Sequence, residues 1–294
     1  MNGTTPQCGR QILSNVIAMT ESSKHPRSPF DHVTVAPPRA ARAAVTFIVL
    51  VMAVMTGICV VFLISNVVLP DWFTIVGRWI PAVLSLAVIM LFQLPRSVGR
   101  WWMLRPGGMR RLLAGSATGL VGLVAIYAGA AAIAVWWGAA APLSWTEYAQ
   151  IAALTVPVAL LFTLSTLGEE VGWRAFLPQL MPDMNRWVRA AAISGVWVVF
   201  HIPLHGTMIL QGTLPAAVGA VSTILLLPLG VFLAMLVERF GSVWPAAIAH
   251  AVPMSVLNLV VNPADQSLAS LWILALIASC LLIIAAVLVA PRRR

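Results

Sequence analysis

Long windows without a single Asp, Glu, Lys or Arg dominate the chain: residues 44–69, 79–95, 112–145, 148–168, 190–237, 242–264 and 266–290. A helix needs about 20 apolar residues to cross the hydrocarbon layer, so the two longest windows must contain breaks. "PLHG" (203–206) and "QGTLP" (211–215) divide 190–237 into two helices, and "GAAAPLS" (138–144) ends the helix in 112–145. The pattern predicts an all-α, polytopic membrane bundle of about eight transmembrane helices.

Composition supports that reading. The 294 residues are 60% hydrophobic and 9% charged, with a mean hydropathy of +0.93, whereas a soluble domain carries roughly a quarter charged residues. The net charge of +9 raises nucleic acid as a partner, but the placement of the basic residues points to topology. With the N-terminus in the cytoplasm, Arg78 is the single one of 18 Lys and Arg to fall on the far side. The positive-inside rule expects this of an even number of spans with both termini cytoplasmic. The implied partner of the basic surface is the lipid bilayer, with no nucleic acid.

Residues 1–42 are polar and contain five Pro, so they read as a disordered cytoplasmic tail rather than a secretory signal. Residues 43–290 form the membrane domain, and 291–294 a basic C-terminal tail. Cys8 lies in the N-terminal tail and Cys59 and Cys280 inside predicted spans, a spacing that gives neither a disulfide framework nor a zinc knuckle.

Polar residues inside a membrane are costly and mark functional candidates. They form three islands. The first, "TLGEEVGWRAF" (166–176), is expected at the cytoplasmic end of the fourth span. On a continuous helix Glu170 and Arg174 share a face as an i,i+4 pair, and Glu169 points about 100° away, left free for another duty. The second is "WVVFHIPLH" (197–205), where Trp197 and His201 share a face, Pro203 disturbs the helix and His205 lies near the outer side. The third is "HAVPMSVLN" (250–258), with His250, Met254 and Asn258 on one stripe and Pro253 weakening the helix.

Taken singly, each island has a plainer reading: a solvated interfacial face for the acids, and hydrogen-bonded interior histidines for the rest. Glu147, Glu238, Asp71 and Asp265 are expected in loops. Most Trp residues (101, 102, 136, 137, 145, 173, 187, 197 and 244) are expected at the interfaces. Together, however, an acid and two imidazoles on three spans suggest one shared cavity.

A carboxylate beside an imidazole can take a proton from water and make it a nucleophile. A second imidazole and an amide can stabilise an oxyanion. The same Glu169, His201 and His250 could instead hold a divalent metal such as zinc with an open position for water. A proton-relay transporter is a further alternative.

"EEVGWR", "WVVFH" and "AHAVPM", in that order, resemble the three motifs of the CAAX-protease and bacteriocin-processing (Abi) family of intramembrane proteases. Those motifs are Glu-Glu-x-x-x-Arg, aromatic-x-x-x-His and His-x-x-x-Asn, and the likeness covers roughly residues 145–260. The resemblance implies that Glu169 activates water with help from His201 and that His250 stabilises the oxyanion. Glu170, Arg174 and Trp197 would support them. The family's asparagine falls on Met254, and Asn258 stands one turn later on the same stripe.

The resemblance also implies an endopeptidase in the cell membrane, its site opening toward the cytoplasmic leaflet and its substrate a membrane-associated peptide or protein. Relatives act on prenylated C-terminal tails or are tied to peptide processing and bacteriocin self-immunity. An Ala- and Arg-rich chain with one Lys resembles a GC-rich bacterial product, which favours a peptide or lipoprotein-like substrate. Met254 keeps open a catalytically silent scaffold or immunity protein of the same family.

Overall fold

A computed structural model describes residue 30 and residues 35–95, 97–252, 259 and 266–292. Among these, all regular structure is helical. In chain order it comprises α1 (Pro37–Ile64), α2 (Asp71–Val76), a 3-10 turn (Gly77–Trp79), α3 (Ile80–Leu91), α4 (Val98–Trp101), α5 (Met109–Trp136) and α6 (Trp145–Glu170). A π-helical turn (Val171–Phe176) carries α6 into α7 (Leu177–Gln179), after which come α8 (Arg186–Leu210), α9 (Ala216–Phe240), α10 (Trp244–His250) and α11 (Leu268–Val289).

Seven rods among the described residues are long and apolar enough to span a membrane: α1, α2 through α3, α5, α6 through α7, α8, α9 and α11. The protein is an all-α polytopic membrane bundle. The seventh of the eight expected spans, 242–264, begins as the short α10; residues 253–258 and 260–265 lie outside the described set. "PLHG" does not break a helix. Pro203 and His205 sit within α8, which runs unbroken to Leu210 because packing on its neighbours holds it past the lost hydrogen bond.

Two local distortions shape the interior. Pro81 has no N–H to offer the carbonyl of Gly77, which is taken instead by the N–H of Ile80 three residues on, so the second rod tightens into a 3-10 turn at Arg78. In the fourth rod, the N–H of Leu177 reaches back five residues to the carbonyl of Gly172, a π turn that places Arg174 directly after the acidic pair. Glu169 therefore does not end a span. The rod continues ten residues further, to Gln179.

At the centre stands α9, with 61% of its spanning window buried against 22% to 39% for the other rods. It packs on α8 and α11 and stops at Gly241, whose φ of 69° is the left-handed cap that glycine adopts without strain. An ion pair between Arg189 and Glu238, both buried, ties α8 to α9. Phe30 covers the Arg189 guanidinium at 4.8 Å.

Several sequence expectations change accordingly. Glu238 lies inside α9, buried and paired, because its apolar neighbours carry the helix past it. Glu147 sits in the first turn of α6, where it closes a capping box with Ser144. Asp71 opens α2. Trp101, Trp173 and Trp197 are fully buried core residues, whereas Trp136, Trp137 and Trp145 are exposed as expected of an aromatic belt. Residues 37–42 belong to α1 rather than to the tail, because Pro37 at the first helical position starts the helix early. Residues 1–29 and 31–34 lie outside the described set, as do Arg293 and Arg294.

Candidate active site

Two hydroxyls on α6 decide where the adjacent acids point. Ser165 donates to the carbonyl of Ile75 at 2.7 Å, binding one face of α6 to the second rod. Thr166 donates to the carbonyl of Ala247 at 2.8 Å, binding the next face to α10. Glu169 and Glu170 stand one turn later on those same two faces, so each acid inherits a different neighbour. Close approach on the first face depends on Gly168. A Cβ there would lie 2.6 Å from the carbonyl oxygen of Arg78 and 2.7 Å from Cα of Trp79. Because that obstacle is backbone, Gly168→Ala is expected to cost about 1–3 kcal/mol of stability, read as a lower unfolding midpoint in detergent.

Glu169 is buried and its two oxygens have separate partners. Oε2 accepts the indole N–H of Trp197 at 2.6 Å and faces Nε2 of His201 at 4.0 Å. Oε1 faces Nε of Arg78 at 3.7 Å. On His201, Nδ1 lies 2.9 Å from the carbonyl of Trp197, a group that can only accept, so Nδ1 carries the proton. In its neutral form the ring presents an unprotonated Nε2 toward Glu169.

Glu170 belongs to a second cluster. Its Oε1 lies 3.3 Å from Nη1 of Arg174 and 2.8 Å from Nδ1 of His250. Glu170 and Arg174 are buried together. Trp197 joins the two clusters. The Arg174 guanidinium stacks 4.0 Å above its ring, and the rings of His201 and His250 each meet it edge-on at 5.2 Å. Trp197→Phe keeps an aromatic ring, though a smaller one, and removes the N–H that Glu169 accepts. Loss of a hydrogen bond to a charged group should cost about 1.5–3 kcal/mol, seen as a lower unfolding midpoint.

A cleft opens beside the first cluster, with Arg78, Glu169, His201 and His205 among its polar walls. Met55, Phe73, Phe200, Leu204 and Met208 supply apolar ones. His250 faces Glu170 rather than this cleft. Among the described residues, no three His, Cys, Asp or Glu side chains are placed to hold a metal ion. Glu169, His201 and His250 do not form such a set here, because the Nδ1 of His250 is turned to the other acid.

Residues 150–254 match the model of a family described as type II CAAX prenyl endopeptidase, Rce1-like. This segment belongs to the CAAX protease family. No curated protein matches the chain. The CAAX-protease segment contains Glu169, Glu170, Arg174, Trp197, His201, His205 and His250, and it ends at Met254. Met254 and Asn258 lie outside the described residues.

Two residues of the cleft escape the motif reading. His205, expected near an interface, stacks beside His201 with ring centroids 5.5 Å apart. Its Nδ1 lies 2.6 Å from the hydroxyl of Thr223. Arg78, expected in an outer loop, lies inside the second rod, because Asp71 starts a helix that continues through it. A lone arginine flanking an apolar window was the available signal for it.

Proposed function

We propose that the protein is an intramembrane endopeptidase in which Glu169 and His201 activate a water molecule for attack on a peptide bond. The observation that carries this is the pair itself: a buried carboxylate and an imidazole nitrogen 4.0 Å apart, both lining one cleft. Two polar atoms at that separation can share one water, each at an ordinary hydrogen-bond length of about 2.8 Å. Glu169 accepts a proton from that water as its oxygen attacks the carbonyl carbon, and the proton then goes to the leaving amine. His201 orients the water and shares its proton.

His250, held by Glu170 through Nδ1, carries the oxyanion role that the resemblance implies once its ring is doubly protonated, and Asn258 stands one turn past Met254, which occupies the position of the family's asparagine. Trp197 positions both clusters. The distribution of basic residues supports cytoplasmic termini in the cell membrane, and the family resemblance supports a site opening toward the cytoplasmic leaflet. The apolar walls of the cleft suit a membrane-tethered peptide, and composition favours a lipoprotein-like or other peptide substrate over a prenylated tail.

The test is cleavage of a library of lipid-anchored, internally quenched peptides by the purified protein in liposomes, with Glu169→Gln as control. Cuts that depend on Glu169 support the proposal. Folded wild-type protein that cuts nothing would move the reading to a scaffold or immunity protein, a role that Met254 in the asparagine position fits. Cleavage lost to a strong chelator and restored by zinc would replace the metal-free mechanism.

A further inference from the structure

Hydrolysis of a peptide bond puts negative charge on the carbonyl oxygen, and the cleft must meet that charge with a donor. The hydrogen bonds around it show which groups can donate. The Nδ1 proton of His201 goes to the carbonyl of Trp197. Thr223 gives its own hydroxyl proton to the carbonyl of Gly219 at 2.7 Å, so it can only accept from His205, whose proton is likewise on Nδ1. Thr74 spends its hydroxyl on the carbonyl of Asp71 at 2.7 Å. In their neutral forms both rings offer the cleft an acceptor at Nε2.

Arg78 is different. Its guanidinium carries five N–H donors and stays charged in proteins. The side chain is 33% exposed and lines the cleft. Its one polar contact among the described residues is the 3.7 Å approach to Glu169, too long for a hydrogen bond. The 3-10 turn at Gly77–Trp79 and the close packing on Gly168 hold the backbone of Arg78 against the helix that bears Glu169. It also stands on the Oε1 side of that carboxylate, opposite the Oε2 side where Trp197 and His201 lie.

We infer that Arg78 is a catalytic residue that donates hydrogen bonds to the oxyanion formed when Glu169-activated water attacks the substrate carbonyl. This rests on the proposed hydrolysis. As the C–O bond forms, the carbonyl π pair moves to oxygen beside the guanidinium. As the C–N bond breaks, that pair returns and the amine leaves with the proton that Glu169 held. Arg78 lies outside the CAAX-protease segment at 150–254. In this chain it supplies a donor that the methionine at position 254 cannot.

The experiment measures kcat and KM for the best-cleaved lipid-anchored peptide with wild type, Arg78→Gln, Arg78→Lys and Glu169→Gln, each checked for its unfolding midpoint in detergent. Loss of one oxyanion donor should lower kcat of Arg78→Gln by about 10²- to 10³-fold, with KM nearly unchanged. Arg78→Lys, which keeps the charge but not the fork, should fall between that variant and wild type. If Arg78→Gln does not fold, the lysine variant carries the test through the same split between kcat and KM. An inactive Glu169→Gln beside either Arg78 variant at wild-type kcat, or with the whole loss in KM, would overturn the role of Arg78 alone. Full activity in Glu169→Gln would overturn the hydrolytic mechanism itself.

Discussion

Glu169→Gln is expected to lower the rate of peptide cleavage by at least about 10³-fold while leaving the fold intact. The amide oxygen of Gln can still accept the indole N–H of Trp197, which Oε2 accepts at 2.6 Å in the wild type. Arg78 would lose its anionic neighbour, but one third of its side chain reaches the cleft and can be hydrated. What disappears is the group that takes the proton from water, and groups acting as one unit fail together. Adding His201→Ala to Glu169→Gln should therefore cost almost nothing further, although His201→Ala alone should cost about 10²- to 10⁴-fold. Steady-state rates for the two single variants and the double variant check this. Multiplicative losses would mean that the acid and the imidazole work on separate steps.

The helical period explains why so much of this site was legible in the sequence. Residues four apart share a face, so Glu170 with Arg174 and Trp197 with His201 could be read as pairs before any tertiary contact was known. The same reasoning placed Glu169 and Glu170 on different faces. It could not tell which neighbour each face meets, because that depends on the hydroxyls of Ser165 and Thr166 and on the missing side chain of Gly168. Charge-free windows separated the spans well but set each boundary at the nearest charge. That rule put Arg78 and Glu238 outside the helices that contain them, although both are held by an opposite charge inside the bundle. Tryptophan composition misled for a related reason. The indole N–H of Trp197 finds its acceptor in Glu169, so that ring can be buried where an interfacial one would turn to water.

Glu170→Ala is expected to be the most destabilising single change near the site, at about 3–5 kcal/mol. Glu170 is 0% and Arg174 2% exposed, and the carboxylate is the nearest anion to a guanidinium that stacks on Trp197 and cannot shed its proton. Removing the acid strands a charge away from water and releases His250, which Glu170 holds at 2.8 Å. Removing both charges should be milder, since a buried pair contributes less than the cost of leaving one member unpaired. Glu170→Leu combined with Arg174→Met is therefore expected to recover at least half of the loss. Unfolding in a denaturing detergent, followed by tryptophan fluorescence, gives the comparison. A Glu170→Ala protein as stable as wild type would show that the pair is reached by solvent, and the second cluster would then have no claim to hold Trp197 and His250 in place.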